Sequence, residues 1–445
     1  MATLDRWKHL LQGPARIVFP RLWLQGRDFD APIVEGGGEV RFADLSGFRF
    51  TLRGKPKDPA FAEAQLDFQE LNPYDPLARF RLFGTDTNGL HWTLGWTVPK
   101  LDSTHAEWVL EGDLDGISTV DESASVVDKS STELLFVIPA RHSLIQLMRS
   151  AAPHSEQMIY VTTVLESEVS IFYDAPHQAL SITATHSQHL QPTHTENWLG
   201  EPLRILFGQL IYPRLVARNL GGRRSHIFLR RAHRVSPTGT WAALLGHENI
   251  VGVNFSLWPR YKELLALIAR ARDNDGNPNF EAHKITRLYE EIIQATAGTR
   301  WVWALTLASS IEALLHMLDR IGEGRGDVKE EARQELVDYI GKSTSDERLK
   351  NSAINAVNRA SKISAVDHLR ELVATNVLTE RQYDAWYELR NSVMHGSLVS
   401  PYSTEEEDYK LLALMEMLHV LTLEVLRHAA SRHASASGST LVKPG

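Results

Sequence analysis

Near residue 281 the spacing of apolar residues changes, and that change most constrains what the chain can fold into. A period of two sends successive side chains to opposite faces of a strand. A period of 3.6 gathers them on one stripe of a helix. Upstream, "VRFADLSGFRFTLRG", "ARFRLFGTDTNGLHWTLGWTV" and "MIYVTTVLESEVSIFYD" hold short runs of β-branched and aromatic residues broken by Gly, Pro, Asp and Asn. "ELLFVIPA" and "HIFLRRAHRV" are further strand candidates, and Asn88-Gly89 suits the positive-φ positions of a hairpin turn. "TENWLGEPLRILFGQLI" interrupts this pattern, because Leu203, Leu206, Phe207 and Leu210 follow helical spacing. Downstream, helices are predicted over residues 281–297, 300–319, 327–341, 346–361, 365–375, 379–396 and 405–430.

The expected architecture is a multidomain α+β protein. Residues 1–240 form an antiparallel β-rich region of one or two subdomains with a helix packed on it. Residues 241–280 form a helical linker, "LWPRYKELLALIARARDN", ending in the turn-rich "DNDGNPN". Residues 281–430 form an all-α bundle. Residues 431–445, "SRHASASGSTLVKPG", are small and polar and are expected to be disordered.

Composition excludes several classes of chemistry. The chain of 445 residues has no cysteine, so disulfides and thiolate metal sites are ruled out, and a reducing cytoplasm suits it. "MATLDRWKHLLQGPARIVFP" has no apolar core of the kind a secretory signal needs. The most apolar helical run, "WVWALTLASSIEALLHML", contains Ser309, Ser310, Glu312 and His316, which argues for a buried helix and against a membrane span. With a net charge of −8, any contact with RNA must come from a local cluster of cations.

"LTERQYDAWYELRNSVMHG" is the most informative helix. Thr379 and Gln382 are spaced as a capping box, and Gly396 sits where a left-handed residue stops a helix. Tyr383, Trp386, Tyr387, Leu389, Val393 and Met394 are its expected packing residues. Arg390 and His395 are five residues apart, about 140° around the axis and roughly 7.5 Å along it. Asn391 and His395 are four apart and share a face, so the amide can hold the imidazole. A histidine in the last turn is favoured as its cation. This trio suits phosphodiester chemistry: His395 moves a proton, Arg390 stabilises charge on phosphoryl oxygens, and Asn391 holds the imidazole. Arginine and histidine near a helix C-terminus are also common for dipole reasons alone. On helix 300–319, Ser309, Glu312 and His316 share a face, and a buried Glu312 needs a partner: Arg390 is the candidate, with another arginine or solvent as the alternative.

"LRNSVMHG", set late in a penultimate helix of an all-α bundle, resembles the signature of HEPN domains: an arginine, a polar residue, three more residues and a histidine. The whole chain is similar to ApeA-like bacterial abortive-infection proteins, which place a β-rich region before a HEPN domain. The resemblance implies a metal-independent, cofactor-free cytoplasmic endoribonuclease of anti-phage defence. Two bundles, in a homodimer or higher even oligomer, would bring both Arg–His pairs to one cleft. The 2′-hydroxyl of a tRNA or other cellular RNA would attack the adjacent phosphate. Catalysis would fall to Arg390, Asn391, His395 and the supporting Glu312, with Arg390 and Asn391 contacting the RNA, and the β-rich half would restrain the cleft until a phage-derived trigger appears. Some HEPN toxins carry a tyrosine two residues after the histidine. Here that residue is Ser397, and the next tyrosine is Tyr402, so regulation through that tyrosine is not expected. The competing expectation is a non-catalytic HEPN module for dimerisation or nucleotide binding, with a β domain that binds a protein or glycan.

Other constellations are weaker. His177, His186, His189 and His194 are spaced nine, three and five apart, which matches no regular metal-ligand spacing. Arg218, Arg223, Arg224, Arg230 and Arg231 make a modest basic patch that reads first as a solvated turn. "GGGEV" and "NLGGRRSH" lack the Lys-Ser/Thr that ends a phosphate loop, and no Gly-x-Ser-x-Gly elbow occurs.

Overall fold

The computed structural model describes residues 3–11, 14–26, 31–43, 47–72, 75, 78–102, 107–122, 129–138, 145, 158–232, 243–244, 257–272, 275–278, 282–318, 330–360, 362–394 and 404–438. The chain divides into two compact units. The first comprises Met1–Arg204, Leu210–Ser236 and Ser256–Ala282. The second comprises Ile205–Gln209, Pro237–Phe255 and His283–Gly445.

The first unit is built on one antiparallel sheet. Its strands are β1 (Ala15–Gly26), β2 (Pro32–Ala43), β3 (Gly47–Pro56), β4 (Phe80–Thr85), β5 (His91–Thr97), β6 (Lys100–Asp102), β7 (Trp108–Leu114), β8 (Gly116–Asp121), β9 (Ser131–Val137), β10 (Met158–Val164), β11 (Ser167–Asp174), β12 (Ala179–Thr185), β13 (Leu215–Asn219) and β14 (Ser225–Arg230). They lie in the order β10-β11-β12-β9-β13-β14-β8-β5-β4-β1-β2-β3-β7-β6. The half that runs from β5 to β7 curls back on itself: the Thr97 hydroxyl of β5 donates to the Asp113 carbonyl of β7 at 3.1 Å. Alternation sets which side chains fill the interior. In β3, Phe48, Phe50 and Leu52 are buried while Arg49 and Arg53 face out. Each such burial contributes about 1.5–3 kcal/mol. Gly36 and Gly54 face each other across β2 and β3, so close that a Cβ on Gly36 would lie 1.9 Å from the Arg53 carbonyl oxygen. Only glycine permits that approach.

Strand β9 is buried on both faces, which is why "STELLFV" reads as a continuous run rather than an alternating one. Helix α1 (Thr3–Trp7) is anchored to it by Glu133, whose two carboxylate oxygens accept from the Thr3 and Leu4 amides at 3.1 Å each. Asn219 donates to the same carboxylate at 2.7 Å. Helix α2 (Pro59–Leu71) starts at the Asp58 cap with proline in its first turn. Helix α3 (Pro192–Phe207) covers the central strands, with Trp198, Leu199 and Leu203 buried. Helix α4 (Leu257–Ala269), expected in a linker, belongs to this unit. Its Trp258 stacks on Tyr160 at 4.5 Å, and Tyr261 donates to the Leu199 carbonyl at 2.8 Å. The hairpin at residues 86–91 departs from expectation. Only Gly89 has positive φ, at +80°, while Asn88 does not, and Asp86 accepts from Asn88, Leu90 and the Trp92 indole.

The second unit is helical among its described residues: α5 (Lys284–Thr296), α6 (Arg300–His316), α7 (Glu330–Gly341), α8 (Glu347–Ala360), α9 (Ala365–Ala374), α10 (Glu380–Met394) and α11 (Glu405–Gly438). Its core forms where α6, α10 and α11 meet, around Leu307, Ile311, Trp386, Leu389, Leu414 and Leu418. Between α5 and α11, the Tyr289 hydroxyl sits in hydrogen-bond contact with His419 Nδ1 (3.2 Å) and Thr422 Oγ1 (2.9 Å), and complete burial raises its pKa. The last helix runs to Gly438, so residues 431–438 are helical where disorder was expected. Two alanines in "SRHASASG" lower the cost of that continuation. Among the described residues no helix is long and apolar enough to cross a membrane.

Candidate active site

The site is set by the start and middle of α10. At its N-terminus the capping box closes: the Thr379 amide donates to Gln382 Oε1 at 3.0 Å, and the Gln382 amide donates to Thr379 Oγ1 at 3.3 Å. This fixes the helix phase. Tyr383, Trp386 and Leu389 then point inward, and the Trp386 indole donates to the Ala308 carbonyl of α6 at 3.4 Å. Tyr387, expected in the packing, is 45% exposed instead and stacks on Tyr383 at 6.0 Å. The four-residue step from Tyr383 places it at the rim of the buried stripe.

One turn beyond Trp386, Arg390 lies over the indole ring, its guanidinium carbon 5.5 Å from the ring centroid. Its Nε donates to Glu312 Oε1 on α6. The structure therefore brings Arg390 and Glu312 together. Glu312 is not fully buried, however: the side chains of Arg390 and Glu312 are 38% and 32% exposed. The pair is held from below by an aromatic ring and open to solvent above. Asn391 follows on the same turn and is half-buried. His395, Gly396, Ser397 and Tyr402 lie outside the described residues, as does the side-chain placement of Val393 and Met394.

The expected polar stripe on α6 contributes only Glu312. Ser309 is exposed and donates to the Leu305 carbonyl of its own helix at 2.9 Å, and His316 is exposed in the last turn. Residues not singled out from the sequence also shape the site. Trp386, read only as packing, is the floor under Arg390. Its signal was present in the four-residue spacing, which places both on one face. Lys410 of α11 bridges Glu388 of α10 and Glu406, each at 2.9 Å, and hydrogen bonds to these two carboxylates raise its pKa. A cation clamped between two carboxylates fixes α11 to α10 close to Arg390.

The other candidates separate. His177 Nδ1 pairs with Asp174 at 2.7 Å, His186 Nε2 meets Thr132 Oγ1 at 2.8 Å, and His194 stacks on Trp198 at 4.9 Å. Burial and the charge of Arg218 lower the His186 pKa to about 4. Among the described residues no group of three or more His, Cys, Asp or Glu is placed to hold a metal ion. In the basic patch, Arg218 and Arg230 both grip the buried Glu196, and Arg231 pairs with Asp115 at 3.1 Å. Arg223 and Arg224 are exposed.

No protein-family model, curated protein or solved structure matches the chain.

Proposed function

We propose that the helical unit is a metal-independent endoribonuclease of the HEPN type. The observation that carries this reading is the open Arg390–Glu312 pair over Trp386, at the end of the helix that leads into His395. A guanidinium on an aromatic floor, oriented by a carboxylate and open to solvent, is pre-organised to take two oxygens of a phosphate. In this reading His395 accepts the 2′-hydroxyl proton or protonates the leaving oxygen. The 2′-oxygen bonds to phosphorus as the P–O5′ bond breaks, leaving a 2′,3′-cyclic phosphate and a 5′-hydroxyl. Arg390 stabilises the charge that builds on the non-bridging oxygens, and Asn391 orients the imidazole. Pairing of two bundles would complete the cleft, and the β-rich unit would gate it in an anti-phage response.

The test is RNA cleavage in EDTA by wild type, Arg390→Ala and His395→Ala, with end-group analysis of the products. Cleavage that persists in EDTA, yields cyclic phosphate ends and is lost in both variants supports the reading. Identical RNA integrity with all three proteins rejects it. One observation favours a non-catalytic module instead: Glu312 already occupies Arg390, as in a purely structural pair.

A further inference from the structure

The outer face of the curled half-sheet carries a ladder of alternating guanidinium and aromatic groups. Trp23 on β1 and Phe83 on β4 are register partners, stacked with centroids 5.8 Å apart and planes 20° from parallel. The Arg21 guanidinium lies 5.0 Å from the Trp23 ring centroid and pairs with Glu35 at 2.7 Å. Arg81 lies between two rings, 5.1 Å from Phe83 and 5.3 Å from Trp96. Trp96 reaches this face because of a local irregularity. In β5, Trp92 and Leu94 point inward, so strict alternation would bury Trp96 as well. The pairing of β4 with β5 shifts register between Leu82 and Phe83, and Gly95 takes φ +83°, which inserts one extra residue. Trp96 then turns outward, 43% exposed, and Thr97 turns in. A bulge that re-aims a large aromatic side chain into solvent costs hydrophobic burial, and such bulges concentrate at functional edges.

Charge agrees with the aromatics. The six strands β1–β5 and β7 carry seven Arg or Lys against four Asp or Glu, on a chain whose net charge is −8. Among the described residues no carboxylate pairs with Arg81 or with Arg53, which stands on the same sheet. Beside the ladder lies a cleft of about 880 Å³, lined by Trp23, Phe83, Thr93, Ser118, Glu122 and Phe228 among others. His226 also lines it, and its Nε2 is buried with no hydrogen-bond partner.

We infer that this face binds single-stranded RNA, with unpaired bases stacking on Trp23, Phe83 and Trp96 and entering the cleft, and phosphates following Arg21 and Arg81. Aromatic platforms accept any base, and the interleaved arginines neutralise the backbone without reading sequence. Burial, with the charges of Arg224 and Arg218, lowers the His226 pKa. The inference does not depend on whether Arg390 cuts RNA.

The experiment is fluorescence anisotropy of a labelled oligouridylate of about 16 nucleotides, a length within the range of such sites, with the full-length Arg390→Ala protein. Cleavage then cannot masquerade as loss of binding. Expected are affinity that falls steeply between about 50 and 200 mM salt, a roughly tenfold or larger loss in Arg81→Glu, and a loss of about tenfold in Trp96→Ala. Both side chains are exposed, so thermal melting should be unchanged in these variants, which separates binding from folding. Undetectable binding at low salt, equal affinity for a blunt duplex, no effect of Arg81→Glu, or complete displacement by polyglutamate each overturns the inference. The last outcome assigns the face to an acidic protein partner.

Discussion

Two carboxylates in this protein each hold arginine, and they do so in opposite settings. Glu196, in the first unit, is 6% exposed and clasps both Arg218, at 2.7 Å, and Arg230. Glu312, in the second, is 32% exposed and, among the described residues, holds Arg390 alone. The first carboxylate cannot release its cations without standing uncompensated in a desolvated place, so it is a fixed structural clasp. The second sits where water screens the pair, so its net stabilisation is small, and under the proposed reading Arg390 exchanges that carboxylate for a phosphate at little cost. Burial, more than residue identity, separates a staple from a site.

Removing both clasp arginines is the largest expected perturbation. Arg218→Ala with Arg230→Ala leaves a buried carboxylate uncompensated and should lower stability by about 3–5 kcal/mol, read as a shift in the urea midpoint. A shift under about 1 kcal/mol would place this pair in the same class as Arg390–Glu312. Next, under the proposed ribonuclease reading, Arg390→Ala should reduce RNA cleavage by about two to three orders of magnitude while moving stability by no more than about 1 kcal/mol. A large stability loss would make Arg390 a second clasp. Glu312→Gln keeps shape but loses the charge, and should slow cleavage about tenfold with KM nearly unchanged, as expected for a residue that positions Arg390.

The smallest effect concerns pH. His283 caps α5 by accepting the Ile285 amide through Nδ1 at 3.2 Å, which requires an unprotonated ring, and burial with the charge of Lys284 lowers its pKa to about 4. His186 is lowered to about 4 as well. The unfolded chain therefore takes up these protons first. Their stabilisation is full above the ordinary histidine value of 6.5 and is lost progressively as pH falls towards about 4. His283→Asn retains a capping acceptor without titrating, so its melting temperature should fall less steeply across that window.

Much of the fold was legible in the sequence. Helices α5 to α10 begin and end within a few residues of expectation, because capping residues and apolar stripes are local signals. Helix α2 was missed, although Asp58-Pro59 marks its start. Phe61, Phe68 and Leu71 are exposed, so the helix shows little of the one-sided periodicity that reveals others. The outward turn of Trp96 was also missed, since a bulge shifts alternation by one residue and leaves composition untouched.

By itself, the sequence determined the division into a β-rich half and a helical half, the caps of α10, and the shared helix face of Trp386 and Arg390. All follow from spacings of a few residues, which act within one element. Only the tertiary structure decided that Glu312 faces Arg390 while Ser309 serves its own helix, that Glu196 is sealed and Glu312 open, and that α4 packs in the first unit. Those facts depend on which distant elements exclude water from each other, and no local spacing encodes that exclusion.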